Sequence, residues 1–322
     1  MARYAIYIFM VICLIPAKVF SQAMDNTVAY RNITGNKYFR INYENDFFTG
    51  SDRDYTQGIL IEKVHPGIRQ FFLTKILWHP ANSVFKYGLA LEHNAYTPNE
   101  IDQYQIQYGD RPYAGVLVLK TFLIATNPLK KQRISVSFNT GVIGPAAGGE
   151  QMQRTIHHWI NYKQPEGWHN QIQNDLVLNY QVNLEKEFYR VNNLFSVTGY
   201  SSARVGTLSD KISGGLSFVL GNIQSEFQLQ EHQKRHFEWY VYDQIVGNAV
   251  AYDATLQGGV FNHTSVYTIP ASQVSRLTLQ NKFGLVLIFR RLYLEYYRTG
   301  TTEEFATTSY HRTGGLQIGF GF

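Results

Sequence analysis

Gly315-Leu316-Gln317-Ile318-Gly319-Phe320-Gly321-Phe322 closes the chain. In an extended strand successive side chains point to opposite faces. Leu316, Ile318, Phe320 and Phe322 then share one face, and Gln317 shares the other with three glycines. An apolar face that runs to a final aromatic, backed by a face of small and polar residues, suits a strand with lipid on one side and a polar interior on the other.

The same alternation recurs upstream. Over 132–142, Ile134, Val136, Phe138, Thr140 and Val142 oppose Arg133, Ser135, Ser137, Asn139 and Gly141. Over 175–184, Leu176, Leu178, Tyr180, Val182 and Leu184 oppose Asp175, Asn179, Gln181 and Asn183. A two-sheet sandwich also buries one face of each strand, so alternation alone does not separate it from a barrel. Three features favour the barrel. The strands run to roughly ten residues, the length a tilted strand needs to cross a bilayer. Aromatic pairs such as Phe47-Phe48, Phe188-Tyr189 and Tyr296-Tyr297 lie near strand ends, as in an interfacial girdle. The final octapeptide is similar to the last strand that outer-membrane barrels present to their assembly machinery.

Strands are expected over 38–48, 55–65, 86–96, 114–125, 132–142, 174–189, 194–206, 211–221, 237–248, 274–289, 291–299 and 312–322. Twelve is an even number, as bacterial single-chain barrels require. The expected fold is therefore an all-β, twelve-stranded antiparallel transmembrane barrel. With both ends of the barrel chain in the periplasm, the long connections at 49–54, 97–113, 143–173, 249–273 and 300–311 face outward. The connections 66–85 and 222–236 are long for periplasmic turns and are expected to form small amphipathic surface elements.

Composition agrees with export to a membrane. Residues 1–23 combine Arg3, an apolar run and a small-residue ending at Ser21-Gln22-Ala23, the pattern of a secretory signal peptide, leaving 24–322 as the barrel. The single cysteine, Cys13, departs with that signal, so the exported chain has no disulfide. Without Arg3 and Lys18, 27 basic residues face 24 acidic ones. A balance that mild gives no case for nucleic acid. No exported segment is apolar over the eighteen residues a membrane helix needs. Phe, Trp and Tyr make up 15% of the sequence, in keeping with strands and girdles.

The polar, motif-like segments gather at the outward end. They are Glu44-Asn-Asp-Phe-Phe48, Asp52-Arg-Asp-Tyr-Thr-Gln-Gly58, Tyr96-Thr-Pro98, Gly109-Asp-Arg-Pro-Tyr-Ala-Gly115 and Gly141-Val-Ile-Gly-Pro-Ala-Ala-Gly-Gly-Glu-Gln-Met-Gln153. The last leaves a strand through a Gly/Pro turn and opens into a short extracellular helix. Gln153 and His157, four residues apart, share one face of it. An ester hydrolase needs a base to take a proton from water and a positive centre for the oxyanion. His157 is the base candidate, because imidazole titrates near neutrality. Asp46 offers the oxygen donor that a hard cation such as calcium prefers. Asn45 can orient substrate or water. Alternation would set Asn45 and Asp46 on opposite faces, so a bulge at the rim is expected to bring both to one site.

In combination and order, these motifs resemble the outer-membrane lipid A 3′-O-deacylase family. The resemblance implies a twelve-stranded barrel in the outer membrane of a Gram-negative cell, acting on lipid A of lipopolysaccharide amid outer-membrane lipids. It implies a site between the barrel wall and a loop helix, with a histidine activating water and a calcium ion polarising the ester. Carried onto this chain, the implied residues are Asn45, Asp46, Thr56, Gln153 and His157. The chain departs from the family at position 163, where Lys163 stands in place of a glutamate. A phospholipase-type esterase and a non-catalytic barrel that binds or transports lipopolysaccharide are the alternative readings.

Overall fold

The protein is described from a computed structural model, which covers residues 35–46, 56–225, 227, 237–308 and 311–322. The expected signal peptide, the Phe47-Phe48 pair and Asp52-Arg53-Asp54 lie outside the described residues.

Twelve strands form in chain order: β1 (Tyr38–Asn45), β2 (Gln57–Val64), β3 (Val84–Tyr96), β4 (Ala114–Asn127), β5 (Gln132–Ile143), β6 (Asp175–Val191), β7 (Phe195–Gly206), β8 (Ser209–Asn222), β9 (Phe237–Asp253), β10 (Leu277–Phe289), β11 (Leu292–Thr301) and β12 (His311–Gly321). Each pairs antiparallel with its neighbours in sequence, and β1 closes on β12. Closure leaves no open edge, so every strand satisfies its backbone groups on both sides, as a lipid environment demands.

All twelve expected strands are present. The boundaries that moved have local causes. β1 stops at Asn45, the last residue that pairs with β12. β10 starts at Leu277 because Val274 instead bridges to Phe305. β9 continues to Asp253, pairing with Ser209 past an irregularity at Asp210 and Lys211.

The two faces of the sheet differ as the alternation requires. Phe39, Ile41, Leu91, Leu176, Leu184, Phe283, Leu294, Ile318 and Phe320 are exposed on the outer wall. The inner face carries charged and polar groups, most of them buried. Arg40 Nη2 donates to Glu62 at 2.7 Å, and Tyr38 Oη donates to the same carboxylate at 2.6 Å. Arg133 Nε donates to Glu185 at 3.2 Å. Lys120 pairs with Glu92, and Arg111 with Glu304. Tyr242 and Tyr293 both donate to Glu295, and the Lys282 ammonium lies 3.4 Å from the centroid of the Tyr297 ring. Removing one partner of such a buried pair leaves an uncompensated charge, so these pairs specify the interior strongly. The lumen is packed; between Glu92, Arg111, Lys120 and Glu304 it holds a cavity of about 50 Å³.

One end of the barrel has tight turns, at 128–131, 192–194 and 290–291, with Lys131, Asn192 and Arg290 in the left-handed region. The long connections emerge at the other end. The turn-end connection between β2 and β3 contains two short 3-10 segments, Pro66–Gln70 and Phe72–Ile76.

Candidate active site

The connection after β5 builds the site. Pro145–Ala147 forms a 3-10 turn, and Gly148, at φ 75°, bends the chain into helix α1 (Gly149–Trp159). A glycine meets that left-handed backbone without steric cost. Glu150 and Arg154 pair along the exposed side at 2.9 Å. Gly149, Gln153 and His157 are the buried residues of the helix, one stripe at four-residue intervals.

This stripe packs on the outer wall of the barrel. Gly115 faces outward on β4, in register opposite Ala95 of β3. A Cβ on Gly115 would stand 3.2 Å from the Gly149 nitrogen, and one on Gly149 would stand 3.2 Å from Gly115 Cα and 2.7 Å from the Trp168 ring. The two glycines let the helix approach the wall closely. His93, buried on the outer face of β3, fixes the preceding turn through Nε2, 3.0 Å from the Ala147 carbonyl oxygen.

A chain of hydrogen bonds then ties helix to rim. Trp168 Nε1 donates to Gln153 Oε1 at 2.6 Å, and Gln153 Nε2 donates to Thr56 Oγ1 at 3.3 Å. The Thr56 and Thr97 hydroxyls lie 2.7 Å apart. Asn45 Nδ2 donates to the Thr56 carbonyl at 2.6 Å and to Tyr43 Oη at 3.2 Å. Trp168, Gln153, Thr56 and Thr97 are buried and Asn45 is half-buried. Losing Gln153 would strand the buried indole N–H, at a cost of about 1–3 kcal/mol.

His157 lies one turn, about 6 Å, along the same face from Gln153. It is buried, packs edge-on against Tyr162 at 5.1 Å between ring centroids, and places Nδ1 2.6 Å from the Lys163 carbonyl oxygen. A carbonyl only accepts, so Nδ1 carries a proton, and in the neutral ring the lone pair is on Nε2. The ring is thus held as the tautomer a general base needs.

The departure at position 163 is accommodated by this geometry. The group that orients His157 is a main-chain oxygen. The Lys163 side chain turns away and donates to Asp102 Oδ2 at 2.7 Å in an exposed ion pair. That bond holds the Asp102 carboxyl below its ordinary range and the Lys163 ammonium above its own. Lys163→Ala is expected to leave the rate within about twofold of the parent, since exposed pairs contribute little. Kinetics on purified protein check this, and a tenfold loss would assign the ammonium a direct part.

Asp46 is fully buried just past the end of β1. The expected bulge is absent: β1 pairs without interruption from Tyr38 to Asn45 with β12. The strand ends at Asn45 instead, so Asp46 stands outside the paired segment whose alternation governs Asn45. Among the described residues, no three His, Cys, Asp or Glu side chains converge as a metal cluster. Asp46 supplies a carboxylate next in sequence to Asn45, whose amide binds the Thr56 carbonyl and the Tyr43 hydroxyl. A carboxylate donor suits an oxygen-seeking cation that also keeps water.

The expected residues Asn45, Thr56 and Gln153 are thus joined by direct hydrogen bonds, His157 lies on the same helix face, and Asp46 adjoins Asn45. Trp168, Thr97, His93 and the Gly115/Gly149 contact had no assigned role in the sequence reading, although Thr97, Gly115 and Gly149 fall within its motifs. Arg111 has a structural task, donating to Glu304 and to Thr255 Oγ1 inside the barrel mouth and lying over the Tyr96 ring.

A closed twelve-stranded antiparallel barrel with an apolar outer wall, and with a loop helix packed against it, is an integral outer-membrane protein. The chain belongs to the family described as outer membrane protein LpxR, whose profile matches residues 6–322. Among solved structures, LpxR from Salmonella typhimurium superposes with a TM-score of 0.71 at 20% identity, over 88% of this chain and all of the other. The β domain of the Bordetella autotransporter BrkA follows at a TM-score of 0.46 and 8% identity, over 89% and 98% of the two chains. At such identities the likeness concerns the fold. A search of curated protein sequences gives no match.

Proposed function

We propose that this protein is a calcium-dependent esterase that removes 3′-linked acyl groups from lipid A in the outer leaflet. The observation that carries the reading is His157, buried on the same helix stripe as Gly149 and Gln153, with Nδ1 committed to the Lys163 carbonyl. Nε2 is then the acceptor for a proton from water. The hydroxide attacks the ester carbonyl, the sugar C3′ oxygen leaves, and the imidazolium returns the proton to that oxygen. The products are a fatty acid and a free sugar hydroxyl. Asn45 and Gln153 supply neutral donors close to the rim, and the Trp168 indole keeps the Gln153 amide in one orientation. Asp46 would hold a calcium ion, whose chemistry is to polarise the ester carbonyl and stabilise the oxyanion.

A site beside α1 on the lipid side would receive its substrate by lateral diffusion within the leaflet. The packed lumen speaks against a transport barrel, and planar bilayers containing the protein are expected to show no stepwise conductance. Mass spectrometry of lipid A from cells with and without the protein tests the function. Loss of the 3′ acyl mass is expected; an unchanged pattern, with folded protein present, refutes the deacylase, and loss of acyl chains from glycerophospholipid alone would make it a phospholipase. Chelation of calcium is expected to lower the rate about 100-fold, reversed by added calcium, and activity untouched by chelator would remove the cation from the reaction.

A further inference from the structure

The connection between β2 and β3 lies at the turn end, opposite α1, and it folds against the outside of the barrel. Its Ile68 and Leu77 pack onto a wall cluster that includes Leu123, Ala125 and Val136. Two tyrosines strap it down: Trp78 N donates to Tyr180 Oη at 2.8 Å, and His79 Nε2 lies 3.1 Å from Tyr87 Oη. Its own outer surface is apolar as well. Phe72 is 65% exposed, Trp78 53% and Ile76 49%. Arg69 and Lys75, in the last turns of the two 3-10 segments, are also exposed, as is Lys63 on the outer face of β2. No aspartate or glutamate occurs from position 63 to position 91. A tight turn would suffice to join two antiparallel strands, so this segment is not needed for the connection.

We propose that residues 65–79 form an in-plane membrane element that binds anionic glycerophospholipid in the leaflet opposite the catalytic site. Phe72, Ile76 and Trp78 continue the apolar outer wall and meet the acyl chains, while Lys63, Arg69 and Lys75 meet the headgroup phosphates. Aromatic and aliphatic groups beside unopposed cations are the composition that places a segment at the headgroup boundary. The charge complement selects lipid over a neutral surface, because cations near an anionic membrane each add to the attraction. The assignment does not rest on the esterase reading.

The test uses the full chain in phosphatidylcholine vesicles with and without phosphatidylglycerol. Trp78 fluorescence is obtained by difference from Trp78→Phe, and quenching is measured with lipids brominated on the acyl chain and with aqueous acrylamide. Strong quenching by brominated lipid and weak quenching by acrylamide are expected. Native mass spectrometry then counts retained phosphatidylglycerol. Arg69→Gln/Lys75→Gln is expected to retain about thirtyfold less, with heat-modifiable gel mobility confirming a folded barrel. Acrylamide quenching equal to that of free tryptophan would put the segment in water and overturn the proposal. Shielding from both quenchers would mean that a protein surface, such as a second copy of this chain, covers it, and equal lipid retention by parent and variant would remove the selectivity; either result also overturns it.

Discussion

His157→Ala is expected to abolish release of 3′ acyl chains, with a loss of about 10²–10⁴-fold, while the barrel folds normally. His157 is anchored by its own helix and by one main-chain oxygen, and neither belongs to the strand ladder. Its removal therefore reaches the chemistry without touching barrel closure. Asparagine at the same place makes the sharper experiment. Its amide can still donate to the Lys163 carbonyl but cannot take up a proton at neutral pH. A base role predicts that both variants fail alike. An asparagine variant close to the parent rate would show that the residue only positions its neighbours, and the base would have to be sought elsewhere. Heat-modifiable mobility distinguishes lost chemistry from lost folding in either case.

The second large effect is expected from Gly149→Val. Even a Cβ here meets the Trp168 ring at 2.7 Å and Gly115 Cα at 3.2 Å. A branched side chain must push α1 off the wall or displace Trp168 from its bond to Gln153. Displacing catalytic groups by about 1 Å can cost about 100-fold, and that is the loss expected. Thermal unfolding of the barrel should be nearly unchanged, because the contact is on the outer face of β4 and takes no part in the hydrogen-bond ladder between strands. Thr155→Ala, on the exposed side of the helix, serves as the control and should retain full activity. Parent-like turnover in Gly149→Val would mean that close apposition of helix and wall is not required.

The barrel was legible because lipid outside and packed polar groups inside impose a strict two-residue period. Leu176, Leu178, Val182 and Leu184 could only face one way, and the strand count followed. The length of β1 was not legible, since nothing in Asn45-Asp46-Phe47 states where pairing stops. For the same reason, the release of Asp46 from alternation was read as a bulge. The helix and its stripe of Gln153 and His157 followed from four-residue spacing and the Gly/Pro turn before it. The resemblance implied the barrel wall opposite that stripe, but the residues that meet it did not follow. Trp168 reaches Gln153 from 15 residues on, by the path of the β5–β6 connection, and Thr56 reaches it across 97, by the side-by-side order of β2 to β5; no local pattern states either contact. The role of Lys163 was equally hidden, because a main-chain oxygen leaves no trace in residue identity.

Placing α1 on the outside of the wall has a kinetic consequence for the proposed reaction. Substrate and both products are amphiphiles that need never leave their leaflet, so encounter and release take place in a plane. The quantity that sets the rate is then the mole fraction of lipid A around the barrel. Diluting the leaflet with inert lipid should slow turnover in proportion, while diluting the vesicles in buffer should not. Liberated fatty acid accumulates in the same annulus, which makes product crowding at the protein perimeter a built-in brake on continued turnover.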